Sequence, residues 1–308
     1  MNNLITIILR SYKKDYKVDV YKQFRKCFDK NKWVAIDVLL IINNSYAIII
    51  EDKINTNESN EQIKRYKDGL IKLSKIKNFS ARYNILELKE ENILTCYYKM
   101  FEEPVSVTNN IKIKVNKTFN RSNMLTLLNK FKEVNKYQYL YDYYKYLQEM
   151  DACLENKENK KIKITESSEL LTIKDIRQIL YCDFINTLNN DNDCGKSPSG
   201  PNTTYWRNIK LNIKSSLGEG FFEKINFYDT DRVPTLKIRV STIYNEEKRK
   251  KLSEDIEKKL SHLNLKKLKL GSDANHEYTL LNYNISEFTF RELKELVQKI
   301  QEILNGEL

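Results

Sequence analysis

The stretch Trp33-Val34-Ala35-Ile36-Asp37-Val38-Leu39-Leu40-Ile41-Ile42, Asn43-Asn44-Ser45, Tyr46-Ala47-Ile48-Ile49-Ile50-Glu51-Asp52-Lys53 decides the fold. Two nearly unbroken apolar runs flank a short turn with good hairpin chemistry. Strands apolar on both faces belong in the middle of a covered sheet. The pattern therefore implies an α/β layer architecture and not a sandwich with one wet face.

Charges interrupt this most apolar part of the chain. Asp37 lies mid-run, and Glu51, Asp52 and Lys53 end the second run. A charge in a buried strand is costly unless it is paired or binds a metal. Side chains alternate along a strand, so Glu51 and Lys53 share a face and Asp52 takes the other. Whether Asp37 joins them depends on register. A three-residue loop pairs Ile42 with Tyr46 and sets Asp37 opposite Glu51, whereas a two-residue turn sets it opposite Ile50, on the wrong face. The expectation is a three-residue loop, or a bulge that restores the alignment.

Two carboxylates held together repel, and a divalent cation relieves the repulsion. Magnesium takes oxygen ligands and keeps several waters, so one or two carboxylates plus substrate phosphate suit it. Such an ion polarises a scissile phosphate and lowers the pKa of a water. Lys53 is then placed to orient that water or to stabilise the charge of the transition state.

Outward from the hairpin, Val18–Phe24 reads as a first strand. Ser59 and Gln62 have capping-box spacing, and Ile63, Tyr66, Leu70 and Leu73 recur at helical intervals. Further strands are expected over Arg82–Leu88 and Ile93–Tyr98, with an edge strand at Ile111–Val115. Met124–Glu155 reads as one or two long helices. The polar run Glu155–Lys161 marks the boundary between a domain at 1–155 and a second α+β domain at 162–308. There, helices are expected over Ser168–Asn189, Glu246–Leu263 and Glu287–Leu304. Strands are expected over Tyr205–Ile213, Phe221–Tyr228, Leu236–Ile243 and Tyr278–Asn284, and Asp191–Asn202 reads as a loop.

At this point Ile36-Asp37-Val38-Leu39-Leu40 followed by Ile48-Ile49-Ile50-Glu51-Asp52-Lys53-Ile54 resembles the D…(D/E)xK signature of the PD-(D/E)XK nuclease superfamily. Gln62 and Tyr66 match the QxxxY helix motif of a subset of that superfamily, and residues four apart share a helix face. The resemblance covers about residues 17–100. It implies a restriction-endonuclease-like mixed central sheet flanked by helices. It also implies catalytic residues Asp37, Glu51, Lys53, Gln62 and Tyr66, with Asp37 and Glu51 holding Mg2+ or, as a substitute, Mn2+. The implied activity is phosphodiester hydrolysis of nucleic acid, DNA first, with RNA as the weaker option. Similar proteins are common in bacterial defence against phage and in mobile elements. Two departures stand out. The Pro before the family's Asp is absent, and residues 1–14 hold no Asp or Glu to supply the acid of the usual first helix. Asp19 is the candidate replacement.

Bulk properties agree with a nucleic-acid partner. The net charge of +11 over 308 residues favours a polyanion, although a composition crowded with Asn, Ile, Lys and Tyr also reflects an AT-rich genome. No apolar run approaches the length of a bilayer span, and no signal peptide is read, so a cytoplasmic chain without membrane contact is expected. The scattered Cys27, Cys96, Cys153, Cys182 and Cys194 suit reduced thiols, and no zinc-ligand spacing joins them to His262 or His276. A homodimer is one assembly open to such a chain, and the sequence does not decide it.

Other signals are set aside. Gly195-Lys196-Ser197 lacks the upstream Gly of a P-loop and reads as loop. Asp191 and Asp193 lack the bidentate Glu of a calcium loop. The tyrosines between Tyr137 and Tyr146 read as helix packing, and Lys248–Lys259 as a solvated helix face. The competing functional reading is a degenerate nuclease fold that acts as a nucleic-acid- or protein-binding regulator or inhibitor without catalysis.

Overall fold

The computed structural model describes residues 17–30, 32–53, 62–101, 117–131, 134–188, 194–199, 202–211, 221–228, 230–241, 246–270 and 277–305. Within those spans, the side chains of 52, 53, 195–199, 202, 222, 241 and 277 lie outside the description. The chain divides into two compact α+β units, with the change at Gln148/Glu149. No helix among the described residues is long and apolar enough to cross a membrane.

The first unit is built on a mixed five-stranded sheet. Its strands are β1 (Val18–Asp29), β2 (Lys32–Ile42), β3 (Tyr46–Lys53), β4 (Ile93–Lys99) and β5 (Lys117–Asn120), lying in that order. β1–β2–β3 are antiparallel, and β4 and β5 continue parallel to β3. The parallel crossover from β3 to β4 carries α1 (Gln62–Ser74) and α2 (Lys77–Tyr83). The helical spacing of Ile63, Tyr66, Leu70 and Leu73 is realised: all four are buried on one stripe of α1. Tyr66, Leu70 and Leu73 share a core with Val34, Ile36, Leu39, Ile41, Ala47 and Ile49 of β2 and β3. Leu40 and Ile42 are buried outside that cluster, so β2 is covered on both sides, as its unbroken apolar run requires.

Gly69 sets how closely α1 can lie on the sheet. A Cβ there would stand 2.4 Å from Val34 Cγ2 and 2.8 Å from the Phe28 ring. Alanine gains about 1 kcal/mol of helix propensity. The overpacking costs about 1–3 kcal/mol and should win. Gly69→Ala is therefore expected to lower the urea midpoint of the first unit; an unchanged or higher midpoint would show that α1 can move away at no cost.

A strand expected over Arg82–Leu88 is absent. Arg82 and Tyr83 end α2, and Asn84 closes it in the left-handed region (φ 50°), where Asn is tolerated. The extended residues that follow are held individually. Ile85 N–H donates to Ser80 O, Leu86 N–H to Asn44 O and Leu88 N–H to Ser74 Oγ. Ile85 and Leu88 are buried while Leu86 is exposed, and no neighbouring strand pairs with the segment among the described residues. Ile111–Val115 and Ser59 lie outside the described residues. The Tyr- and Leu-rich segment forms two helices, α3 (Arg121–Lys130) and α4 (Gln138–Ala152). Tyr143 of α4 meets the hydroxyl of Tyr98 on β4.

The second unit carries α5 (Ile173–Thr187) and an antiparallel sheet of β6 (Cys194–Ser199), β7 (Asn202–Leu211), β8 (Phe221–Tyr228), β9 (Thr235–Ser241) and β10 (Glu277–Asn284). α6 (Glu246–Leu260) connects β9 to β10, and α7 (Phe290–Leu304) follows β10. Two helices start later than their sequence pattern suggested, because capping boxes fix their first turns: Thr172 with Asp175 for α5, and Thr289 with Glu292 for α7. The loop expected over Asp191–Asn202 is corrected. Cys194–Ser199 is an edge strand that contains Gly195-Lys196-Ser197, and Pro198 is tolerated there because an edge strand can spare an N–H. Asp191 and Asp193 lie outside the described residues.

Candidate active site

The β2–β3 hairpin sets the geometry. Asn43 (φ 49°) and Asn44 (φ 61°) both take left-handed backbone, and Ser45 N–H donates to Ile42 O at 3.1 Å. The loop is the three residues Asn43–Ser45, and Ile42 pairs with Tyr46. The ladder runs down to Val38 opposite Ile50, and one further step of that register would set Asp37 opposite Glu51.

Glu51 follows Ala47 and Ile49 on the β3 face covered by α1, and it is buried to 1 % exposure. Gln62 in the first turn of α1 donates Nε2–H to Glu51 Oε1 at 2.6 Å and also to the Tyr66 hydroxyl at 2.6 Å. Both helix residues are themselves buried. The carbonyl Oε1 of the same Gln62 amide is buried without a hydrogen-bond partner among the described residues. QxxxY thus acts as a brace. Tyr66 fixes the amide of Gln62, and that amide fixes the carboxylate of Glu51.

Asp37 sits at a break in the strand pattern. Val34 and Ile36 of β2 face the α1 core, and so do Leu39 and Ile41, so the alternation slips by one residue between Ile36 and Leu39. β1 slips at the same level. Tyr21 and Phe24 both pack on this core, and Gln23, between the Lys22–Val38 and Phe24–Ile36 pairs, has φ 45°. Gln23 is therefore level with Asp37, and the irregularity of both strands converges on the half-buried aspartate. Bulges of this kind re-aim a side chain.

Lys53 is the last residue of β3, level with Lys99 of β4; its side chain lies outside the described part of the structure. β4 brings residues that sequence reasoning missed. In the parallel register Tyr97 is level with Glu51, and Tyr97 and Lys99 share the α1 face with Ile93. Both are buried. Lys99 thus lies two residues along β4 from the Glu51 level. Lys99 ends a β-forming run, Cys96-Tyr97-Tyr98, and that interruption by a charge is the signal that could have found it.

Asp19 lies away from the level of Asp37. It pairs with Ile41, four residues up the strand from the Asp37 level, about 13 Å away. It stands 3.8 Å from Lys17 instead.

Among the described residues no three His, Cys, Asp or Glu side chains cluster closely enough to hold a metal ion. Asp37 and Glu51, the two acids singled out by the sequence, stand on neighbouring strands. That set fits a hard cation such as Mg2+ or Mn2+, which accepts one or two carboxylates and fills its other positions with water and phosphate oxygen. It does not fit a closed structural zinc site.

Compared with known proteins, the chain matches no family model, no curated protein and no solved structure.

Proposed function

We propose that the first unit is a divalent-metal-dependent phosphodiester hydrolase. More particularly, we read it as a nuclease of the PD-(D/E)XK superfamily, QxxxY subset, with a restriction-endonuclease-like sheet. Its substrate in this reading is nucleic acid, DNA first. The observation that carries it is Glu51: a carboxylate buried to 1 % exposure and held by Gln62 from α1, on the strand next to the one that carries Asp37. A carboxylate held at such depth by a dedicated amide brace serves a stable fold poorly and a cation well.

Asp37 and Glu51 would hold the ion, and when bound it would polarise the scissile phosphate and make a water more acidic. Gln62 holds one Glu51 oxygen in place, and Tyr66 keeps the Gln62 amide turned so that it donates to the carboxylate. Lys53, two residues along β3 from Glu51, takes the role the resemblance gives it: orienting the attacking water and stabilising the developing phosphorane charge. α1, packed on β2 and β3, fixes this arrangement on rigid elements.

The test is digestion of plasmid DNA and of RNA with Mg2+ or Mn2+ by the wild type and by Lys53→Ala. Cleavage that falls by about 10²–10³-fold in the variant supports the enzyme. Equal cleavage by both would trace the activity to a contaminant, and no cleavage of any substrate with either metal would favour the binding-only reading.

A further inference from the structure

The second sheet has two unlike faces. One packs on α5: Tyr181 stacks on Phe227 at 4.6 Å, Phe184 meets Phe227 edge-on, and Arg207 donates to Ile185 O. Ile209, Ile225, Leu236 and Ile238 are buried on that face. Alternation sends Trp206, Asn208 and Lys210 of β7, Lys224 and Tyr228 of β8, and Lys237 and Arg239 of β9 to the other face.

That other face is cationic. Lys224 is directly opposite Lys237 across the β8–β9 pair. Lys210 and Arg239 lie in a row two residues along. The only acid in β7, β8 and β9 is Glu223, on the α5 face between Ile209 and Ile238. Like charges directly opposite each other destabilise a sheet, and an ordinary solvated face mixes both signs. Aromatic rings sit among the cations: Lys224 Nζ stands 5.2 Å from the Trp206 ring centroid, and the Arg232 guanidinium 6.0 Å from that of Tyr228. Trp206, Lys224, Lys237 and Tyr228 are partly exposed, and Lys210 is exposed.

We infer that this face of the second sheet binds single-stranded nucleic acid. Lys210, Lys224 and Lys237 would meet phosphates, and Trp206 and Tyr228 would stack on unpaired bases, while Arg239, buried in the same row, adds its charge from within the sheet. The combination of a basic track and aromatic platforms suits a single strand better than a duplex, whose bases are already stacked, and better than an acidic peptide, which offers no rings to stack. The inference deepens the nuclease reading by assigning substrate capture to the second unit, but it stands on separate residues. Binding measured without metal tests it whether or not the first unit cleaves.

The chain holds two tryptophans, and Trp33 is 56 % exposed on β2. A full-length Trp33→Phe chain therefore reports Trp206 alone. Titrated in EDTA with a short single-stranded oligothymidine, it should show saturable quenching that weakens with salt. Lys224→Ala/Lys237→Ala in the same background should bind about tenfold more weakly and lose about 1.4 from the slope of log affinity against log salt. Lys250→Ala/Lys251→Ala on the exposed side of α6 removes the same charge and should leave the affinity within about twofold. The inference is overturned by absence of quenching, by equal losses in the two double variants, by an unchanged salt slope in the first, or by polyglutamate binding as tightly as the oligonucleotide.

Discussion

Glu51→Gln should lose metal-dependent cleavage by on the order of 10³-fold while keeping the fold of the first unit. The substitution preserves side-chain size, and the new amide oxygen can still accept from Gln62, so the brace to Tyr66 survives. What disappears is one of the two negative charges that Asp37 and Glu51 would offer to a cation in the proposed site. The same change should be visible without a substrate. A ligand present at about 100 times its Kd stabilises the folded state by about 2.7 kcal/mol, which for a unit of this size raises Tm by about 5–10 °C. Mg2+ or Mn2+ should produce such a rise in the wild type and almost none in Glu51→Gln. A variant that cleaves within tenfold of the wild type, or that keeps the full metal-induced rise, would remove Glu51 from the site.

In the second unit the largest expected effect belongs to Glu223. Its side chain is fully buried between Ile209 and Ile238, and neither carboxyl oxygen has a hydrogen-bond partner among the described residues. Burial pushes this carboxyl well above the ordinary glutamate range. The sign follows from linkage. The folded state holds the proton to higher pH than the unfolded chain does, so the stability associated with the proton is complete below the unfolded pKa near 4.5 and drains away as pH rises towards the folded value. Within that window the second unit should lose about 1.4 kcal/mol per pH unit. Glu223→Gln cannot titrate and should flatten this dependence. Glu223→Met fills the same space without polar oxygens and should stabilise the unit at neutral pH by about 1–3 kcal/mol. Urea unfolding followed through Trp206 emission in the Trp33→Phe background reads both. Parallel pH profiles for wild type and Glu223→Gln would show that the buried carboxyl does not titrate in this range.

Much of the first unit was legible because its signals are local. The apolar runs on either side of Asn43-Asn44-Ser45 specify a hairpin, and a three-residue loop fixes the register from Ile42 opposite Tyr46 down to Val38 opposite Ile50. Gln62 and Tyr66 are one helical turn apart, so their shared face could be read from spacing alone. What spacing could not give was the partner of Gln62. Its contact with Glu51 depends on how α1 lies across the sheet, which no local pattern shows. The parallel pairing of β4 was also hidden, and with it the placement of Tyr97 and Lys99, because register between strands joined by a long crossover leaves no local trace. The phase slip at Asp37 was equally silent: Ile36-Asp37-Val38-Leu39 is apolar enough on both faces that a shift of one residue changes nothing in the pattern. The misassigned strand at Arg82–Leu88 and the missed edge strand at Cys194–Ser199 have one lesson between them. Tertiary partners decide whether a short extended segment becomes a strand, and propensity does not.

The pairing of Asp37 with Glu51 around one cation is tested most directly by anomalous diffraction from crystals of the full chain soaked in Mn2+. The account predicts a single strong peak on the α1 side of the first sheet, with one carboxylate oxygen from Asp37 and one from Glu51 each about 2.0–2.3 Å from it. A peak bound by neither acid, or an Asp37 carboxyl on the sheet face away from Glu51, would contradict it.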